Sequence, residues 1–91
     1  MRALYKYVIT PAGKTEMPSC AEVLSVGAQG EEIVCWALVR TDFALVTRRL
    51  IPVPTGARWE DDELGPSRAK FIGTVQRPDG SVFHIFDGGA R

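Results

Sequence analysis

Histidine is all but missing from this sequence, and so is any surplus of charge: there is one imidazole, and 11 Lys and Arg residues balance 11 Asp and Glu residues. With one histidine, two cysteines and no Cys-x-x-Cys, a structural zinc site has too few ligands. A duplex-DNA binder needs excess basic residues to displace counterions, so zero net charge argues against nucleic acid as a partner. Cys20 lies in a turn-like segment and Cys35 in the most apolar run, which speaks against a disulfide-stapled secreted scaffold. No segment approaches the roughly 20 apolar residues of a membrane span. The opening Met1-Arg2-Ala3-Leu4-Tyr5-Lys6-Tyr7 lacks the apolar core and cleavage site of a secretory signal. These absences lead to the expectation of a soluble cytosolic protein with no membrane partner. There is no internal repeat and no low-complexity stretch.

What is present fits one small β domain. A chain of 91 residues can build about one layer against another, and a hydrophobic fraction of 45% is too high for intrinsic disorder. The centre is Glu31-Glu32-Ile33-Val34-Cys35-Trp36-Ala37-Leu38-Val39, whose unbroken run of branched and aromatic residues predicts a strand covered on both faces. Tyr5–Ile9 predicts a first strand, ended by the turn Thr10-Pro11-Ala12-Gly13. Lys14–Met17 predicts a short edge strand paired with that first one. Val23–Gln29 forms a hairpin with the central strand. With Gln29-Gly30 as its loop, Val26 faces Ile33 and Val23 faces Trp36, and a one-residue slip exchanges the faces.

Phe43–Ile51 predicts the next strand, closed by Pro52 and Pro54, which exclude a central-strand continuation. The stretch from Ala57 to Ser67, with Trp59 and the acidic run Glu60–Glu63, is the longest loop. In the last hairpin, Arg77-Pro78-Asp79-Gly80-Ser81 has the composition of a three-residue turn with a glycine bulge. Taking Arg77 opposite Ser81 sets Val75 opposite Phe83, Gly73 opposite Ile85 and Phe71 opposite Asp87, which puts Phe71, Gly73, Val75, Phe83 and Ile85 on the core face, with His84 and Thr74 across from each other on the reverse. Gly73 leaves room there for a neighbouring ring. The fold class is therefore all-β, a single antiparallel β-sandwich or flattened barrel of about seven short strands. Its central strand is apolar on both sides, and burying one such side chain stabilises by roughly 1.5–3 kcal/mol. Either the sheet curls over the second face or a partner covers it, and a homo-oligomer, dimer or ring, is expected.

Few side chains offer chemistry. His84 suits acid-base work but has no acidic residue near it in sequence. Ser25, Ser67 and Ser81 lack the strand-turn-helix setting of a hydrolase nucleophile, and Cys35 reads as a buried inert thiol. Arg48 and Arg49 point to opposite faces of one strand. A guanidinium fork there could grip a phosphate or carboxylate beside Trp36 or Trp59, whose rings could stack on a base. The run Glu60–Glu63 lacks the alternation of a calcium loop. No cofactor is expected, and candidate ligand-binding residues are Arg48, Arg49, Trp36, Trp59 and His84.

Several pieces taken together resemble a known family: Tyr5-Lys6-Tyr7, Met17-Pro18, Leu24-Ser25-Val26, Cys35-Trp36-Ala37-Leu38-Val39, Phe71–Gln76 and Val82–Phe86. They are similar, in the same order, to small uncharacterised proteins of phages and prophages. The likeness implies a phage origin and carries no catalytic residues. The expected function is a non-enzymatic phage accessory protein in the host cytoplasm that binds a host protein or sequesters a small ligand, with counter-defence as one such role. The alternative is a minor structural or decoration protein of the virion.

Overall fold

In the computed structural model, which describes residues 1–58 and 69–90, every regular element is a strand. The order is β1 (Arg2–Ile9), β2 (Lys14–Pro18), β3 (Glu22–Gln29), β4 (Glu32–Arg40), β5 (Leu45–Pro54), β6 (Lys70–Gln76) and β7 (Val82–Ala90). They form a three-stranded sheet, β1-β4-β3, and a four-stranded sheet, β2-β5-β7-β6, with all neighbours antiparallel. This is the all-β sandwich that the strand pattern predicts. Trp59, Glu60–Glu63 and Ser67 lie outside the described residues.

Alternation decides which side chains meet between the sheets. From β4 the inner set is Ile33, Cys35, Ala37 and Val39, packed with Ile9, Met17, Leu50, Val75 and Ile85. Gly30-Glu31 joins β3 to β4, one residue later than the Gln29-Gly30 loop. Val26 therefore faces Cys35 and Val23 faces Ala37, and Leu24 is bulged out of the ladder between Val23 and Ser25.

Three further expectations need correction. β2 is an edge strand, but it pairs with β5, from Lys14 opposite Arg49 to Pro18 opposite Leu45. β1 gives all eight of its residues to β4. The Thr10–Gly13 corner then carries the chain into the other sheet, where Thr15 and Met17 still turn inward. The only side-chain hydrogen bond between β1 and β2 among the described residues is from the Thr15 hydroxyl to the Val8 carbonyl, at 3.2 Å.

Second, β5 runs through both prolines and lies inside its sheet. β2 covers only Leu45–Arg49, so the segment beyond has β7 on one side alone. The Leu50 N–H points to the β2 side, where it donates to the Gly13 carbonyl at 3.0 Å. Pro52 and Pro54 share that parity, so their missing N–H groups fall on the unpaired edge.

Third, the predicted closing pair holds, with Arg77 N–H donating to Ser81 O at 2.8 Å, and so do Val75 opposite Phe83 and Gly73 opposite Ile85. A bulge at Ile72 then shifts the register and sets Phe71 opposite Phe86 instead of Asp87. Ile72 packs on the core in place of Phe71. Phe71 lies 53% exposed, edge to face with Phe86 at 5.6 Å. Gly73 does leave space, and a valine methyl fills it: a Cβ added there would sit 2.9 Å from Val26 Cγ2. This is where β3 and β6, edges of different sheets, come together.

Gly73→Ala is therefore expected to destabilise the fold by about 1–3 kcal/mol through overpacking, and by clearly less when Val26 is already alanine. Urea unfolding of the four chains of this cycle checks it.

Candidate binding pocket

The arginine pair separates as strand geometry requires. Arg48 turns inward between the sheets, where Nε and Nη2 donate to the two Asp87 carboxylate oxygens at 2.9 and 2.6 Å. Its Nη1 donates to the Ala21 carbonyl at 2.8 Å. The two side chains are only 15% and 11% exposed. A local Asp-Gly-Gly sequence shapes the acceptor: Gly89, at φ 81°, folds back so that its N–H donates to Asp87 Oδ1 at 2.8 Å. Burial alone would raise the Asp87 carboxyl, but hydrogen bonds from Arg48 and Gly89 and the positive charge of Arg48 outweigh it, so the group sits below its usual value. The Asp87 hydrogen bond in turn raises Arg48. The guanidinium fork expected to hold a ligand thus holds a carboxylate of its own chain.

The other candidates do not converge. Arg49 lies on the outer face of the four-stranded sheet, against Gly88, where a Cβ would come 3.2 Å from its own Cβ. Trp36 lies on the outer face of the three-stranded sheet, its ring over Gly27. His84 bridges two hydroxyls, with Nε2 2.8 Å from Thr55 Oγ1 and Nδ1 3.1 Å from Thr74 Oγ1. It borders a shallow hollow of about 180 Å³ with Pro54, Ala57 and Phe86. Both ring nitrogens are engaged by threonines, which gives this histidine no carboxylate to orient it for acid-base work. Cys35 is fully buried, and burial pushes its thiol up to about 11. Among the described residues no group of three or more His, Cys, Asp or Glu side chains could hold a metal ion.

A larger cavity opens at one end of the sandwich, about 450 Å³ in volume. Five separate places in the chain build it: Val8–Pro11 at the corner after β1, Glu31–Ile33 at the start of β4, Pro52 on β5, Arg77 at the last turn, and Phe83 on β7. Its size and mostly aliphatic and aromatic wall match small-molecule sites. Arg77 is fixed at its edge. Nε donates to Ser81 Oγ at 3.0 Å, Nη1 to the Glu31 carbonyl at 3.3 Å and Nη2 to Asp79 at 3.3 Å. The guanidinium also lies 5.2 Å from the Phe83 ring centre. Hydrogen bonds from the Ser81 hydroxyl and N–H, followed by the charge of Arg77, lower the Asp79 carboxyl.

Asp79 thus answers the charge of Arg77, whereas the Glu31 and Glu32 carboxylates have no ion-pair partner among the described residues. The rim is net negative, and the chemistry it favours is an apolar body with a cationic end. Sequence reasoning reached none of these residues as a site, because the lining is scattered. The one local signal was Arg77 diagonal to Phe83 across the last hairpin, on the core face.

Removing Asp87 leaves a buried guanidinium uncompensated, so Asp87→Ala is expected to cost about 3–5 kcal/mol, whereas Arg48→Met with Asp87→Leu costs far less than the two single losses combined. Denaturant unfolding of the cycle measures this. The pH dependence has a definite sign. The folded-state carboxyl lies below the value near 4 of an unfolded chain, so the pair's contribution is complete above about pH 4 and is lost as pH falls through the folded value. An Asp87→Asn chain loses less stability than the wild type over that acid range.

No curated protein and no solved structure matches this sequence. A family model described as a domain of unknown function, DUF7352, matches residues 1–91, and the chain belongs to that family.

Proposed function

We propose that this DUF7352 domain is a non-enzymatic accessory protein of phage origin that acts by sequestering a small ligand in the end cavity. The observation that carries the reading is that cavity of about 450 Å³, apolar within and acidic at its mouth. Arg48, one of the two adjacent arginines that the sequence offers for gripping an anion, is engaged by Asp87, which weakens the case for a nucleotide or other polyanion. The ligand class that fits is a compact apolar amine, its ring or chain among Ile9, Ile33 and Phe83 and its ammonium at Glu31. In a host cell, withdrawing such a molecule would serve counter-defence.

A second reading, a decoration protein of the virion, draws on a different observation. The outer face of the three-stranded sheet carries apolar side chains among its charges and leaves Leu4 59% and Val8 38% exposed. Mass spectrometry of purified particles separates the two, since many copies per virion would favour decoration.

The sequestering reading is tested by thermal shift with 2-phenylethylamine and hexylamine against 3-phenylpropanoate, heptanoate, nucleotides and cyclic dinucleotides. An amine at ten times its dissociation constant stabilises by about 1.4 kcal/mol, or roughly 5–10 °C for a domain this small. The expected result is a shift with amines only, lost in Glu31→Gln. No shift with any probe at millimolar concentration removes this reading.

A further inference from the structure

The three-stranded sheet has an outer face whose charges are arranged to fit a second copy of itself. Strand register fixes its rows, since Ile33, Cys35, Ala37 and Val39 are inward and the even-numbered residues of β4 are outward. Along β4 the outward order is Glu32, Val34, Trp36, Leu38, Arg40. Beside it on β1, Val8 flanks Val34, Lys6 flanks Trp36, Leu4 flanks Leu38 and Arg2 flanks Arg40. On β3, Gln29 flanks Glu32, Gly27 flanks Val34, Ser25 flanks Trp36 and Glu22 flanks Leu38. Between Glu32 and Arg40, β4 presents Val34, Trp36 and Leu38, with Val8 and Leu4 beside them on β1 and Lys6, Ser25 and Glu22 as their polar neighbours. One end of β4 is basic and the other acidic, with Trp36 midway.

The Lys6 side chain extends this pattern. Its Nζ donates to the Gln29 side chain at 2.7 Å. A line from Lys6 on β1 to Gln29 on β3 crosses β4 at Val34, which explains why this outward valine is fully buried. The ammonium therefore sits on the β3 side at the end that carries Glu32, with Glu22 at the opposite end of the same strand.

We propose that two copies pack through this face, related by a two-fold axis that lies in the interface and runs across the strands through the Trp36 row. That rotation reverses strand direction and keeps β4 over β4. Arg40 of each copy then meets Glu32 of the other, Lys6 approaches Glu22, and Leu4 and Leu38 of each copy lie over Val8 and the Lys6 stem of the other. An axis along β4 would set Arg40 over Arg40 and Glu32 over Glu32, so the charges select the first arrangement. A face three strands wide and nine residues long measures roughly 14 by 30 Å at ordinary spacings. Two such faces bury on the order of 1,000 Å², the lower end for specific association. The dimer is accordingly of micromolar affinity and weakened by salt.

Sedimentation velocity over a concentration series tests this with two exposed positions. Glu32→Arg and Arg40→Glu are each expected to weaken dimerisation at least tenfold, because each gives its own copies like charges at both contacts. An equimolar mixture of the two variants restores dimer near the wild-type level, since every contact across a mixed pair is again opposite in sign. Leu4→Glu, at an exposed apolar position, gives monomer. Near-ultraviolet circular dichroism confirms that each chain is folded. A wild-type chain that stays monomeric up to millimolar concentration, or folded charge variants whose mixture fails to associate, overturns the proposal.

Discussion

A guanidinium and a carboxylate occupy space that apolar side chains would otherwise fill, and the architecture around them is arranged to keep both satisfied. Arg48 reaches inward from β5, binds Asp87 on β7 through two parallel hydrogen bonds and ties down the Ala21 carbonyl in the link between β2 and β3. One side chain thereby connects two strands of one sheet to the segment that leads into the other. Placing Asp87 correctly requires the Gly88 bulge that offsets β7 against β5, and the left-handed Gly89 that returns its N–H to the carboxylate. Buried pairs of this kind add little stability over an apolar replacement, but losing one member is costly. Their use is to fix register, and here the pair sets β7 on β5 at a point where Leu50 and the core begin.

This internal use of charge decides where binding can occur. With Arg48 enclosed and His84 held between two threonines, the flat faces and the open end of the sandwich are what remain among the described residues. At the end, Pro52 and Pro54 let β5 run past β2 without needing a neighbour, and the resulting unpaired edge borders the cavity lined by Pro11, Ile33 and Phe83. On the outer face of the smaller sheet, β4 brings a second apolar set that the sandwich has no layer to cover. Lys6 and Gly27 supply partial shelter, for Val34 and the Trp36 ring respectively.

The strand count, the sandwich and the central place of β4 could all be read from alternation, branched residues and turn chemistry. What could not be read were features fixed by contacts distant in sequence. The bulges at Leu24 and Ile72 change which residue faces the core, and neither has a local signal as strong as the glycine turn between them and their partners. Pairing β2 with β1 follows from proximity in sequence, yet β1 was already filled by β4. The prolines of β5 are poor strand residues only where an N–H is needed. Of the residues suggested for ligand binding, Arg48 does form a fork, but the carboxylate in it is that of Asp87, 39 residues away. The end cavity was invisible because its walls come from five separate segments.

The claim most exposed to a single observation is that Arg48 and Asp87 form a closed internal pair. Carbon-13 NMR of the Asp87 side-chain carboxyl, followed together with the Arg48 Nε–H signal as the pH is lowered, reads it directly. A closed pair keeps the carboxyl ionised below the ordinary aspartate value near 4, with an Nε–H that exchanges slowly with water. A carboxyl that titrates at the ordinary value beside a rapidly exchanging Nε–H would mean that the pair is open to solvent, and Arg48 would again be available to a ligand.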